Sequence, residues 1–152
     1  MNILFVCHGN ICRSPMAEMI FQKLIADRGL SDRFTVASAA TSTEEIRNGI
    51  GNPIYPSARA ELERHGIPVS EHRAVQLCRS DAEKYDLFIG MDHANLRNMR
   101  RILGDAAESK LHLLMDFTPR GGEVSDPWYS DRFDVAFRDI MDGCEGLLRS
   151  LL

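Results

Sequence analysis

The sequence predicts a three-layer α/β fold, an open sheet of four parallel strands with helices on both faces. Short apolar runs alternate with longer stretches whose apolar residues recur at helical spacing. The first run, Asn2 to Val6, is almost wholly apolar, as a parallel strand covered on both sides should be. A polar, glycine-bearing loop follows it directly. In such sheets ligands sit at the carboxyl ends of strands, so this loop is the first place to look for a site.

The elements follow in order. The first helix opens at Ser14-Pro15, a preferred N-cap followed by a preferred first helical residue. Ala17, Ile20, Phe21, Leu24 and Ile25 fall on one stripe, and Gly29 stops the helix. Glu18 lies near its positive end and Arg28 near its negative end. Phe34 to Ala39 is a second strand. Thr41 to Pro56, carrying Gly49, Gly51, Pro53 and Pro56, is a long loop of the kind that is often functional. A helix over Ser57 to His65 ends at Gly66, and Pro68 to Arg79 reads as loop with some turn. Asp86 to Met91 is the third strand, and Asp92 caps a helix bearing Leu96, Met99, Ile102 and Leu103. Leu111 to Met115 is the fourth strand, and Asp116 to Ser130 is a second long loop. The last helix carries Phe133, Phe137, Ile140, Met141, Cys144, Leu147, Leu148 and Leu151 on one face.

Composition narrows the possible functions. A chain of 152 residues with 44% hydrophobic and 26% charged content fits a single domain, 1–152, with a core that needs no staples. A net charge of −4 argues against general nucleic-acid binding, which rewards a basic face. The opening residues lack the basic region and apolar length of a signal peptide, and no stretch approaches a membrane span. Four cysteines without framework spacing suit a reducing compartment, so the expectation is a cytoplasmic protein. Cys7 and Cys12 have no partner pair at zinc-ligand spacing, so no metal is expected. Nothing in the sequence demands more than a monomer.

Cys7 ends the first strand, and five residues later Arg13 precedes Ser14-Pro15. The loop between them joins a strand end to a helix N-terminus, where unpaired N–H groups and the helix dipole attract anions. Gly9 lets the backbone curl, and the planar guanidinium of Arg13 suits phosphate oxygens. A helix N-terminus and a nearby cation both favour the thiolate, the nucleophilic form of Cys7. The pattern therefore reads as a phosphoryl-transfer site. The competing reading is that a cysteine ending a strand is a small buried hydrophobe. The strand before it and the Ser-Pro behind it weigh against that.

Val6 to Glu18 resembles the signature of the low-molecular-weight protein tyrosine phosphatases, Val-Cys-x-Gly-Asn-x-Cys-Arg-Ser-Pro-x-Ala-Glu. Asp126-Pro127-Trp128-Tyr129 resembles that family's second motif, an Asp-Pro followed by aromatics. The likeness continues through His72-Arg73-Ala74 and Met91-Asp92-x-x-Asn95. It implies a sheet of order 2-1-3-4, hydrolysis of phosphotyrosine through a cysteinyl-phosphate, a tyrosine-phosphorylated protein as substrate, and no cofactor. Cys7 is then the nucleophile, and His8, Gly9, Asn10, Ile11, Cys12, Arg13 and Ser14 bind the phosphate. Ser14 also gives a hydroxyl hydrogen bond to the sulfur, Asn10 holds the loop in left-handed geometry, and His72 supports it from behind. Spacing alone does not choose a general acid among 22 carboxylates; the resemblance chooses Asp126. Without it, Asp126-Pro127 reads as a turn. Trp128 and Tyr129 line the wall for the substrate ring, where many relatives have two tyrosines.

Several readings stay open at this level. Cys12 can pair with Cys7 as a protective disulfide under oxidation, or it is a packed small residue. Cys144 belongs to the core stripe, Cys78 has no assigned role, and the His8 side chain is expected to face solvent. Ala39-Ala40 stands where a small residue and Gly are common, and Glu44-Glu45 on the next loop would disfavour acidic substrates. Protein-arginine phosphatases resembling this family carry Thr at the Ile11 position, so Ile11 favours phosphotyrosine. Arsenate reductases on the same fold use a close pair of further cysteines, which Cys78 and Cys144 do not form in sequence. A non-catalytic phosphate sensor would need neither Cys7 nor Asp126.

Overall fold

The computed structural model describes residues 1–152. The chain runs β1 (Asn2–Cys7), α1 (Arg13–Asp27), β2 (Thr35–Ala40), β3 (Ile46–Arg47), β4 (Ile50–Gly51), α2 (Pro56–Arg64), β5 (Leu87–Gly90), α3 (His93–Leu103), β6 (Leu111–Leu113), α4 (Pro127–Ser130) and α5 (Phe133–Ser150). Short 3-10 turns punctuate it. The main sheet is ordered β2-β1-β5-β6, all parallel. With the β3–β4 hairpin set aside, this is the expected 2-1-3-4. Cys7 pairs with Ala40 and Val6 with Gly90, so the end of β1 sits centrally at the carboxyl edge of the sheet.

Alternation along β1 divides the core. Ile3, Phe5 and Cys7 face a large cluster with Met16 and Phe21 of α1, Leu62 of α2, and Ile140 and Cys144 of α5. Leu4 and Val6 face the opposite side, with Phe88 of β5, Leu113 of β6, and Leu96, Met99 and Leu103 of α3. Burying a side chain such as Phe5 or Ile20 stabilises the fold by about 1.5–3 kcal/mol. These helices thus have strong reasons to lie where they do. The end of α1 closes as expected, with Gly29 N–H donating to Ala26 and Leu30 N–H to Ile25.

Four boundaries depart from the expectation. The N-cap of α1 is Cys12, and Ser14 lies inside the first turn without capping it. Its hydroxyl is committed to Cys7 instead. The Thr41–Pro56 loop contains the β3–β4 hairpin, turned at Asn48 (φ 53) and Gly49 (φ 76). Two consecutive positive φ values mark the Asn-Gly hairpin turn. β6 stops at Leu113, where the Asp116 carboxylate accepts the Leu113 N–H and Leu114–Phe117 coil into a 3-10 turn. Leu114 then packs on α5, where a Cβ at Gly143 would lie 2.5 Å from Leu114 Cγ. Finally, the second long loop contains α4, started by Asp126, whose Oδ1 accepts the Trp128 N–H at 3.0 Å.

Candidate active site

Residues 8–12 form a loop between β1 and α1, turned by Asn10 at φ 60. Donors outside the loop hold its carbonyls. Thr41 N–H donates to Cys7, Ser42 N–H to His8, Tyr55 N–H to Ile11 and Met16 N–H to Cys12. His72 Nε2 donates to the Asn10 carbonyl at 2.7 Å, which fixes its tautomer with the proton on Nε2. In a trans peptide the N–H points opposite to the carbonyl. Anchoring these carbonyls outward therefore turns the amides of His8, Gly9, Ile11, Cys12 and Arg13 into one cup. Left-handed geometry, which a helix dipole alone would not demand, belongs to Asn10 and not to Gly9. Gly9 serves by its size, since a Cβ there would lie 3.2 Å from Glu45 Cγ.

The Cys7 sulfur sits at the floor, 4% exposed. Asn10 N–H donates to it at 3.3 Å, and Ser14 Oγ lies 3.0 Å away. A buried chain of hydrogen bonds orients that hydroxyl. Ser38 Oγ donates to the Glu18 carboxylate at 2.5 Å and accepts from Asn10 Nδ2 at 3.0 Å. The other Asn10 Nδ2 proton goes to Ser14 Oγ at 2.7 Å, while Asn10 Oδ1 accepts the Val75 N–H at 3.0 Å. With the amide orientation set, Ser14 receives a proton from Asn10 and directs its own to the sulfur. A chain that starts at a carboxylate thus ends as a donor to Cys7.

Arg13 is 3% exposed and held by groups from two distant segments. Its Nη1 donates to Asp92 Oδ2 at 3.0 Å and to the Val124 carbonyl at 2.8 Å. Its Nη2 lies 3.5 Å from Asp126 Oδ2. A buried guanidinium requires such partners. Val124 is itself fixed by its N–H to the Met91 carbonyl, and Glu123 accepts from the backbone N–H of His93 at 2.8 Å. Those contacts, with the His93 ring, hold the Glu123 carboxyl below its ordinary value.

The cup opens into a cavity of about 190 Å³. Trp128 and Tyr129, 55% and 86% exposed, line it together with Asp126. In the same lining, His8 Nε2 meets Glu44 at 3.0 Å, and Glu45 lies against Gly9. The His8 ring is half exposed, as expected, and touches the Glu44 carboxylate. Ile11 and Cys12 complete the lining.

All four cysteines are free thiols. Burial, with Cys7 beside it, pushes the Cys12 thiol up to about 12. Burial also raises the Cys144 thiol, which donates to the Ala17 carbonyl in the core. Cys78 is exposed and away from the cup. No three His, Cys, Asp or Glu side chains are arranged to hold a metal ion. No helix is long and apolar enough to cross a membrane.

The structure thus gathers Cys7, residues 8–13, Asp126, Trp128 and Tyr129 around one cavity, with Ser14 hydrogen-bonded to the sulfur outside that lining and His72 holding the Asn10 carbonyl. Sequence reasoning missed Ser38, Glu18 and Val75, which orient Asn10, and Asp92 and Val124, which hold Arg13. The available signals were Ser38, a polar residue in a strand whose end is buried, and the place of Glu18 and Asp92 within the matched motifs.

The low molecular weight phosphotyrosine protein phosphatase family model matches residues 2–152. The chain is 38% identical to the human low molecular weight phosphotyrosine protein phosphatase, covering 99% of this chain and 93% of that protein. It is 36% identical to the low molecular weight protein-tyrosine-phosphatase YfkJ of Bacillus subtilis, covering 99% and 95%. The crystal structure of YfkJ superposes with a TM-score of 0.93 over 99% of this chain and 94% of that one. Vibrio vulnificus Wzb, solved in complex with benzylphosphonate, is 28% identical with a TM-score of 0.85, covering 98% and 97%. Full-length sequence match and shared fold agree: the chain belongs to the low molecular weight phosphotyrosine protein phosphatase family.

Proposed function

We propose that this protein hydrolyses phosphotyrosine in protein substrates through a cysteinyl-phosphate, with Asp126 as general acid and then general base. Cys7 Sγ attacks phosphorus in line with the tyrosyl oxygen, forming the S–P bond as the P–O bond breaks. Asp126, entering protonated, gives its proton to the departing phenolate. Water then attacks the cysteinyl-phosphate and yields its proton to the Asp126 carboxylate. The P–S bond breaks, releasing inorganic phosphate and the thiolate. The loop amides and Arg13 carry the charge that the transition state spreads over three equatorial oxygens. The Ser14 hydroxyl stabilises the sulfur whenever it is anionic.

The observation that carries this reading is the approach of Asp126 to Arg13, 3.5 Å, above the same cup that holds Cys7. A nucleophile and an acid thereby face one phosphate position. The aromatic walls of Trp128 and Tyr129 suit an aryl ester, and a relative binds benzylphosphonate, a benzyl group on a phosphonate. Ile11, aliphatic and part of the lining, favours phosphotyrosine over phosphoarginine. We read residues 1–152 as one domain, because both cores share the strands of one sheet. We also take the protein to act as a monomer in the cytoplasm.

The test is hydrolysis of an aryl phosphate, with chelator present, by wild type, Cys7→Ser and Asp126→Ala. Activity that survives chelation, disappears with Cys7→Ser and falls sharply with Asp126→Ala is expected. Full activity in Cys7→Ser, or thiol-dependent arsenate reduction without phosphatase activity, would overturn the reading. Phosphotyrosine and phosphoarginine peptides compared on wild type decide the ester class.

A further inference from the structure

Behind the Trp128 wall lies a second hollow of about 150 Å³, lined by Tyr55, Pro127, Trp128, Asp131 and Phe133. Its aromatic rings are ordered. Tyr55 meets Trp128 edge-on at 5.3 Å between centroids, and lies nearly parallel to Phe133 at 5.9 Å and 11°. The fourth feature is a carboxylate. Asp131 stands in the left-handed region at φ 58 immediately after α4, and its side chain has no hydrogen bond or ion pair. The adjacent cation does not neutralise it, because Arg132 is bound through two nitrogens to Asp134, both contacts at 3.0 Å. That pairing holds the Asp134 carboxyl down at about 2.

We propose that this hollow seats a cationic side chain, Arg or Lys, of the protein substrate, close in sequence to the phosphotyrosine. The inference rests on the phosphatase reading and extends it to the substrate's neighbouring residues. Aromatic faces attract a cation through their quadrupoles, and a carboxylate at the rim adds a charged acceptor. A guanidinium or ammonium with its methylene stem satisfies both parts, whereas an apolar side chain leaves Asp131 without a role and an acidic one is repelled by it. Trp128 lines both cavities, so one ring separates the phosphotyrosine from the seated cation. That shared wall limits the cation to a near neighbour along the peptide. Glu44 and Glu45 also line the active-site cavity and disfavour acidic flanks generally, which is a bias of charge and not of position.

The test separates the two effects by position and needs no turnover. Labelled phosphotyrosine peptides with an alanine background carry one Arg, Leu or Glu, walked through the neighbouring residues. Their binding to Cys7→Ser protein is read by fluorescence anisotropy. At one position Arg should bind about two- to fivefold tighter than Leu, the range expected of an exposed cation–aromatic contact. Asp131→Asn, whose new side chain tolerates the same backbone, should shrink that difference at that position alone. Equal binding of Arg and Leu everywhere, tighter binding of Leu, or an Arg preference that survives Asp131→Asn would overturn the subsite. If phosphorylated peptides bind no better than unphosphorylated ones, the phosphatase reading fails, and the subsite falls with it. If wild type hydrolyses aryl phosphate without any Arg preference in binding, only the subsite fails.

Discussion

Asp92 gives one carboxylate oxygen to Arg13 and the other to the helix behind it. Oδ2 meets Arg13 Nη1 at 3.0 Å, while Oδ1 accepts the Asn95 N–H at 2.8 Å and caps α3. The guanidinium is thereby referred to the axis of a helix on the far side of the sheet. Asp92→Asn separates the two tasks, because Asn caps a helix as well as Asp does but carries no charge. The expected result is a loss of about 1–3 kcal/mol of transition-state stabilisation, or roughly five- to 150-fold in kcat/KM. The melting temperature should move by only a few degrees. Asp92→Ala should add the cost of a lost cap, about 1 kcal/mol, read in a thermal melt.

Ser14 should matter through kcat. Ser14→Ala removes the donor to the sulfur and leaves one buried Asn10 Nδ2 proton without an acceptor. A hydrogen bond to a charged group is worth about 1.5–3 kcal/mol, so kcat should drop roughly ten- to a hundredfold with KM little changed. Ser38→Ala acts one bond further away and leaves the Ser14 hydroxyl oriented, so its effect should be several times smaller. Steady-state kinetics on the two variants checks the order.

Removing the acid should depend on the leaving group. An ester whose phenol is strongly acidic leaves without help, whereas tyrosine does not. Asp126→Asn should slow phosphotyrosine hydrolysis by about 10²–10⁴ and slow activated aryl esters much less.

Thiol labelling should follow the electrostatics of the cup. Iodoacetate, an anion, is expected to modify Cys7 first, Cys78 next, and Cys12 and Cys144 only on unfolding, as read by peptide mass spectrometry. Inorganic phosphate should protect Cys7 and leave Cys78 unaffected.

Cys12 also sets a direction for stability against pH. Its folded value is raised from 9.0 to about 12, so the folded state holds this proton more tightly than the unfolded chain. The contribution is fully present below pH 9 and is lost as pH rises from 9 towards 12. Cys12→Ala should flatten that part of a melting-temperature profile.

What the sequence conveyed was mostly local. The strand–loop–helix unit around Cys7 was legible because its signals lie within a dozen residues, and the strand order followed once the family likeness was seen. Ser14 was misassigned as a cap because the same hydroxyl satisfies a helix amide or a sulfur equally well in sequence. The Asn48-Gly49 turn was present but flanked by Arg47 and Ile50, without the alternation that announces a hairpin. Leu114 and Met115 continue an apolar run, and only their packing beneath α5 shows that the strand has ended. Which residues Asp92, Glu18, Ser38 and the Val75 and Val124 backbones hold was not legible. Asn10 and Ser38 are separated by 28 residues, Arg13 and Asp92 by 79, and Arg13 and Val124 by 111. Each of those polar residues also had a sufficient local explanation.

These separations bear on how the molecule matures. The nucleophile lies within the first strand–helix unit of the fold, but the groups that hold Arg13 come from far later in the sequence. A partly folded chain can therefore carry a thiol beside a helix start without a seated guanidinium or a positioned acid. Contacts of such long range form late, after loop closure has been overcome. Turnover should accordingly lag behind the appearance of helical signal during refolding, and its recovery would time the docking of the final segment onto the sheet.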